Sequence, residues 1–343
     1  MSYESKISQS LESEAYLSQE DLLKLDPHSI SNICSILSCS ADQIKDILPI
    51  KTGLTNKSYR FELEGDYALK GARDPHSNEL FGDSFIYRIP SHQFDESMIF
   101  RSHEYQAELH AKELGLDPSF IHMDPQQGWK LAHYLPQAKA CSYADLDKID
   151  EGILLLKRLH EQNYSFARKL DLFAFLREAK ALIDDKGLSP EHQNWIDQTY
   201  EMALQLEDAW NDELEKTQIT MVHMDFWPRN LLAWSGGLAL IDWEYCCCSH
   251  PLMDLATLSC QTTELSEEQI YHFFEHYFGQ EELSEEQKLS VDLILALNPA
   301  FWMCWAMQLD LSDYSEEDFE IFKSYLEICL RYGAKALKAL SKR

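Results

Sequence analysis

The chain has 343 residues, 45% of them hydrophobic and 12% aromatic, which is enough for sizeable cores and excludes disorder on a large scale. Acidic residues outnumber basic ones 58 to 30, a formal net charge of −28 that opposes binding to nucleic acid or to an anionic membrane surface and favours a cationic ligand. Nine cysteines, odd in number and without paired CxxC spacing, argue against a disulfide scaffold and against a structural zinc site; in the run Cys246 to Cys248, successive side chains point in different directions and do not converge on one ion.

Taken in order, residues 1–28 read as a polar tail or a docked helix ending at Asp26-Pro27, without the basic region and apolar core of a signal peptide. No run of eighteen apolar residues stands out, so a cytoplasmic chain without membrane insertion is expected. From Ser29 to Leu48 the apolar positions Ile30, Ile33, Leu37, Ile44 and Leu48 recur at near-helical spacing, with Ser40 as N-cap of a second helical piece. Residues 48–65 read as strand, turn, strand, with Tyr59, Phe61 and Leu63 alternating against polar neighbours. The turn between them suits phosphates: Gly53 lets the backbone approach, while Thr55, Asn56 and Ser58 offer hydrogen bonds. Two basic residues compete for a nucleotide's phosphates, Lys70 in YALKG and Arg88 in FIYRIP. Residues 128–136 read as a strand running into a hinge, whose backbone from Ala132 to Leu135 would meet an adenine. The helix in DKIDEGILLLKRLHEQ turns Ile153, Leu154, Leu156 and Leu159 inward, with His160 structural, and helices follow in 173–187 and from Ser189-Pro190 to about residue 216.

Residues 219–255 carry the chemistry. TMV is a short apolar run, HMDFWPRN a loop that Pro228 keeps from becoming a regular helix, LLAW a strand, Ser235-Gly236-Gly237 a tight turn and LALI the returning strand that delivers Asp242. The hairpin brings Asn230 and Asp242 together at its open end. The spacing His223-x-Asp225-x-x-x-x-Asn230, with a later Asp, is the pattern of a kinase catalytic loop. A carboxylate to deprotonate a hydroxyl and hard oxygen ligands for magnesium are what phosphoryl transfer asks for. Asp225 is thus the expected base, with Asn230 and Asp242 the metal ligands.

These residues, with Ile241-Asp242-Trp243-Glu244-Tyr245 and Pro251 to Ala256 behind them, resemble the choline/ethanolamine kinase branch of the aminoglycoside-phosphotransferase-like kinases. The resemblance covers roughly residues 48–335. It implies an α+β, bilobal protein-kinase-like fold with a small β-rich N-lobe (29–134, nucleotide-binding) and a larger, mainly helical C-lobe (135–343, catalytic loop and acceptor pocket). It also implies that Asp254 braces the catalytic loop, and that the turn 53–58 is similar to the family's Gly-Leu-Thr-Asn loop. It selects Arg88, whose strand is similar to the family's third, to meet the phosphates; Glu104, on the helix that follows, would pair with it. That choice makes 66–84 an insertion and puts Ser91 where the family often has Gly. On the acceptor side, Trp302 and Trp305 stand three apart on one helix face, and choline kinases carry a similar Trp-x-x-Trp helix whose rings join the choline pocket. A tyrosine of the last helix joins that pocket in the family, here Tyr325 or Tyr332, and Glu244 offers a carboxylate.

The expected function is ATP- and Mg2+-dependent phosphorylation of choline or ethanolamine. The same chemistry on thiamine, a methylthio-sugar, a homoserine-like amino acid or an aminoglycoside is the alternative, and an inactive kinase fold that binds a partner is a third reading. The oligomeric state stays open, a homo-oligomer among the options.

Overall fold

A computed structural model describes residues 25–50, 56–90, 99–166, 169–262, 264–309, 311 and 314–342. Gly53, Thr55 and Ser91 lie outside the described residues, as does any helix before Leu25. Backbone contacts divide the chain into two compact units, Met1–Asp95 with Ser119–Gln137, and Glu96–Pro118 with Ala138–Arg343.

The first unit opens with helix α1 (Pro27–Leu37), capped by the Asp26 carboxylate, which accepts from the backbone of His28 and Ser29 at 2.8 and 3.0 Å. Asp26-Pro27 therefore starts a helix here, as an acidic cap followed by proline should. Ser40 does cap a helical piece, but only the single 3-10 turn Ala41–Gln43. Ile44 to Ile50 is already strand β1, which runs antiparallel to β2 (Asn56–Leu63). The helical spacing of Ile44 and Leu48 loses to this pairing, and Pro49 is tolerated because β1 is an edge strand. With β3 (Ser84–Pro90), β4 (Phe120–Met123) and β5 (Lys130–His133) the sheet has the order β1-β2-β3-β5-β4. One face carries Tyr59, Phe61, Phe85, Tyr87 and Leu131 and packs with Ile33 and Leu37 of α1 into this unit's core. Residues 64–83 form irregular turns between β2 and β3, and Lys70 stays there, bonded to the Gly65 carbonyl and 3.6 Å from Asp66.

The second unit holds α2 (Arg101–Glu113), the short β6 (Lys139–Ala140), α3 (Leu146–His160), α4 (Leu172–Lys186), α5 (Pro190–Gln205) and α6 (Glu207–Lys216). After them come β7 (Thr220–Val222), β8 (Leu231–Trp234), β9 (Gly237–Leu240), β10 (Cys247–Ser249), α7 (Met253–Cys260), α8 (Glu267–Phe278), α9 (Glu285–Met307) and α10 (Glu316–Leu340). Ser189 caps α5 with proline behind it, as expected, but a break at Leu206 separates α5 from α6. In α3 the buried stripe is Ile149, Gly152, Ile153, Leu156 and Leu159; Leu154, expected inside, is 45% exposed, because a run of consecutive apolar residues cannot all face one side of a helix. The α9 helix corrects a second expectation: it is long and apolar enough to cross a membrane, yet 94% of its apolar window is buried inside the protein, with α10 packed along it.

Candidate active site

The loop after β7 is held by one carboxylate. Asp254, at the start of α7 and fully buried, accepts from the backbone N–H of His223 at 3.0 Å and of Met224 at 2.6 Å, and its Oδ2 also pairs with His160 Nε2 at 2.9 Å. Met224 needs that grip, since it sits in the left-handed region at φ 69°, where a side chain is strained. His223 is a strut: its Nδ1 accepts from Asp225 N–H at 3.2 Å, so its Nε2 carries the proton and donates to Ile241 O at 3.0 Å. These bonds fix the peptide that presents Asp225.

Pro228–Asn230 then make a 3-10 turn, and the Asn230 amide Nδ2 donates to Asp225 twice, to Oδ2 at 2.7 Å and to the backbone oxygen at 2.9 Å. With Nδ2 so engaged, the other atom of the amide, the hard oxygen Oδ1, is turned away from Asp225. The β8–β9 hairpin closes with Leu231 opposite Leu240, and Ile241 N–H donates to Asn230 O at 2.9 Å. Asp242 follows directly, at φ 70°. Burial, and next the charge of Asp242, push the Asp225 carboxyl well above the usual range, against the opposing bond from Asn230; Glu244 and Asp254 add to the rise.

Such a pair of repelling carboxylates with an amide oxygen fits a divalent cation. Asn230 Oδ1 and Asp242 would offer it two hard oxygens, and magnesium characteristically takes the rest of its six from phosphates and water. Among the described residues no group of three or more His, Cys, Asp and Glu would hold an ion by itself.

Two buried carboxylates adjoin this centre. Arg101 Nη1 bonds Glu104 at 2.8 Å and lies 3.5 Å from Glu244, so one guanidinium ties α2 to the segment after Asp242. Arg101 was not anticipated, although its i,i+3 spacing from Glu104 was readable. Cys246 and Cys248 are buried, and the Cys248 thiol accepts from Phe166 N–H at 2.9 Å.

Beside Asp225 lies a cluster of rings. Tyr245, Trp302 and Trp305 meet edge to face, with centroids 5.4 to 5.5 Å apart and planes at 79° to 88°. The Tyr245 hydroxyl is pushed far up by burial and by the charges of Glu244, Asp225 and Asp242. Trp302 is buried and its indole N–H donates to Thr257 Oγ1 at 3.2 Å, whereas Trp305 keeps partial exposure. Of the two candidate tyrosines, Tyr325 feels the charge of Asp225 and donates to Gln261 Oε1 at 2.8 Å; Tyr332 packs instead against Tyr271, under the charges of Glu267, Arg331 and Asp292. Tyr245 was missed as a ring of this cluster because its neighbours come from a distant helix.

In the first unit, Ser58 lies directly opposite Arg88 across the β2–β3 pair, and Arg88 directly opposite Lys130 across β3–β5. Directly opposed residues share a face, so Asn56, Ser58, Arg88 and Lys130 line the side of the sheet away from the aromatic core. Arg88 is buried and its Nη2 donates to Gly128 O at 3.4 Å. Lys130 enters this set only through strand register.

Residues 149–287 match the model of the phosphotransferase enzyme family. Protein LicA of Haemophilus influenzae is 27% identical over 204 residues, which is 59% of this chain and 58% of that protein, less than two thirds of its length. Two solved structures share the kinase-like fold. Choline kinase LicA from Streptococcus pneumoniae superposes with a TM-score of 0.66 at 19% identity, covering 88% of this chain and 97% of that one. A choline/ethanolamine kinase family protein from Mesorhizobium loti gives 0.64 at 19% identity, covering 92% and 100%. The small antiparallel sheet unit and the mainly helical unit are the α+β arrangement expected from the sequence.

Proposed function

We propose that this chain, whose catalytic block matches the phosphotransferase family, is an ATP- and magnesium-dependent kinase that phosphorylates the hydroxyl of choline. The observation that carries the choice of acceptor is the Tyr245–Trp302–Trp305 cluster next to the carboxylates of Asp225 and Glu244. A quaternary ammonium has no N–H to donate; ring faces and nearby negative charge are what attract it. The relatives named choline kinase support the same acceptor class.

Asp225 accepts the proton of the acceptor hydroxyl. Its raised basicity suits that task, and Asn230 holds it in orientation. Asn230 Oδ1 and Asp242 are the proposed magnesium ligands; the ion, when bound, neutralises phosphate charge. Gly53, Thr55, Asn56, Ser58 and Arg88 are the proposed nucleotide contacts, with Lys130 added on the evidence of register. Glu244 and Tyr325 are proposed to border the acceptor.

A coupled ADP-release assay with magnesium-ATP against choline, ethanolamine, thiamine, a methylthio-sugar and an aminoglycoside tests the reading. Turnover preferring choline is expected, and preference for another acceptor would discard the cation-binding role of the rings. Trp305, less buried than Trp302, is the ring to remove: Trp305→Ala should raise KM for choline about tenfold, the equivalent of ~1–2 kcal/mol of cation–π attraction, and leave KM for ATP alone. An unchanged choline KM would count against the cluster.

A further inference from the structure

Thr257, on α7 one turn after Asp254, belongs neither to the metal ligands nor to the ring cluster, yet it touches both sides of the site. Its Oγ1 lies 2.8 Å from Met224 O, 3.1 Å from Met253 O, 3.0 Å from Asn298 Nδ2 and 3.2 Å from Trp302 Nε1, and the side chain is fully buried. A hydroxyl has one proton and two lone pairs. The Asn298 amide nitrogen and the Trp302 indole N–H can only donate, so they occupy both lone pairs, and the single proton must go to a carbonyl. Met224 O is the nearer, and Met253 O already receives Asn298 Nδ2 at 3.1 Å. With the proton so placed, one face of α7 grips both polar groups of the left-handed residue before the base: Asp254 takes the Met224 N–H and Thr257 gives to its C=O.

We propose that Thr257 is a positioning residue that couples the acceptor-side indole to the catalytic loop. Trp302, by filling a lone pair of Oγ1, sets the hydroxyl rotor to donate to Met224 O, and that bond fixes the peptide leading into Asp225. The inference rests on the kinase reading above and deepens it on the substrate side. Because the only N–H of Trp302 is spent on Thr257, the ring meets an acceptor with its π face and apolar edge alone. It suits a methylated ammonium and offers nothing to a group that needs a donor.

The test is initial-rate kinetics with magnesium-ATP and choline for the full-length wild type, Thr257→Val, Thr257→Ser, Trp302→Phe and the Trp302→Phe/Thr257→Val double variant. Thr257→Val is expected to lower kcat at saturating choline roughly ten- to a hundredfold, as small misplacements of a reacting group do, without moving KM for ATP, and Thr257→Ser to restore it. Trp302→Phe, which keeps a ring but cannot donate, should raise the choline KM and also lower kcat; in the double variant it should cost no further kcat. Additive losses in kcat, or a Trp302→Phe variant whose kcat is intact and whose KM alone has risen, would overturn the coupling. The Trp302→Phe result decides even if the valine variant does not fold. A wild type silent with every acceptor of the panel would instead remove the kinase reading and the coupling with it, a failure distinct from an active wild type whose variants behave independently.

Discussion

Asp225 is held between demands that pull its proton affinity in opposite directions. Asn230 donates to its carboxylate at 2.7 Å, while burial and the neighbouring Asp242 drive its affinity upward, and the second influence wins. Since the carboxyl titrates higher in the folded chain than in the unfolded one, its contribution to stability is full in acid below the unfolded value and is lost as pH rises through the folded value. At a pH above the unfolded value, keeping this carboxyl buried beside Asp242 therefore costs stability. Asp225→Asn, which can still accept from Asn230, is expected to melt higher than the wild type at neutral pH, with the difference closing as the solution is acidified; melting curves of both chains across pH check this. The same substitution should lower turnover on the order of a thousandfold, the usual size for a lost general base, while nucleotide binding persists. In the wild type, the acid limb of kcat/KM for choline should fall at a pH above the ordinary aspartate value of about 3.9. A limb at or below that value would mean that another group, or another charge state, governs the reaction.

At the level of elements, the approach of α3 to the catalytic loop rests on one missing methyl. A Cβ on Gly152 would stand 2.8 Å from Leu231 Cδ2 and 3.3 Å from Phe226 Cζ. Leu231 follows Asn230 directly, so pushing it aside moves a proposed metal ligand. Gly152→Ala should gain about 1 kcal/mol of helix propensity and lose ~1–3 kcal/mol to overpacking, leaving the melting temperature unchanged or several degrees lower while kcat falls. Unchanged turnover would show that the end of Leu231 yields without disturbing its neighbour. The contrast with the hairpin marks what a sequence can disclose. The hairpin that brings the backbones of Asn230 and Ile241 together is legible because a turn at Ser235-Gly236 and alternating strands act over a dozen residues. Gly152, Arg101, Lys130 and Thr257 escaped notice because their importance comes from partners distant in the sequence or from strand register. Ile44 to Leu48 was misread as helix for a related reason: its spacing satisfied a helical period, and only pairing with β2 decided against it.

For the molecule as a whole, the formal charge of −28 acts on substrate and fold in opposite senses. A negative field concentrates a cation near the protein, and the same field repels itself in the compact state. Raising ionic strength from about 0.02 to about 0.3 M, where the screening length drops below ~10 Å, should lower kcat/KM for choline and raise the melting temperature together. If the two move in the same direction, long-range charge is not what delivers the acceptor. The buried α9 helix carries a consequence for biosynthesis. As the chain leaves the ribosome, Glu285–Met307 emerges before α10, and during that interval a segment greasy enough for lipid has no cover from the helix that later packs along it. Packing of α10 thus completes the cover that α4, α5 and α7 begin, and chains cut short before Glu316 should be recovered in aggregates.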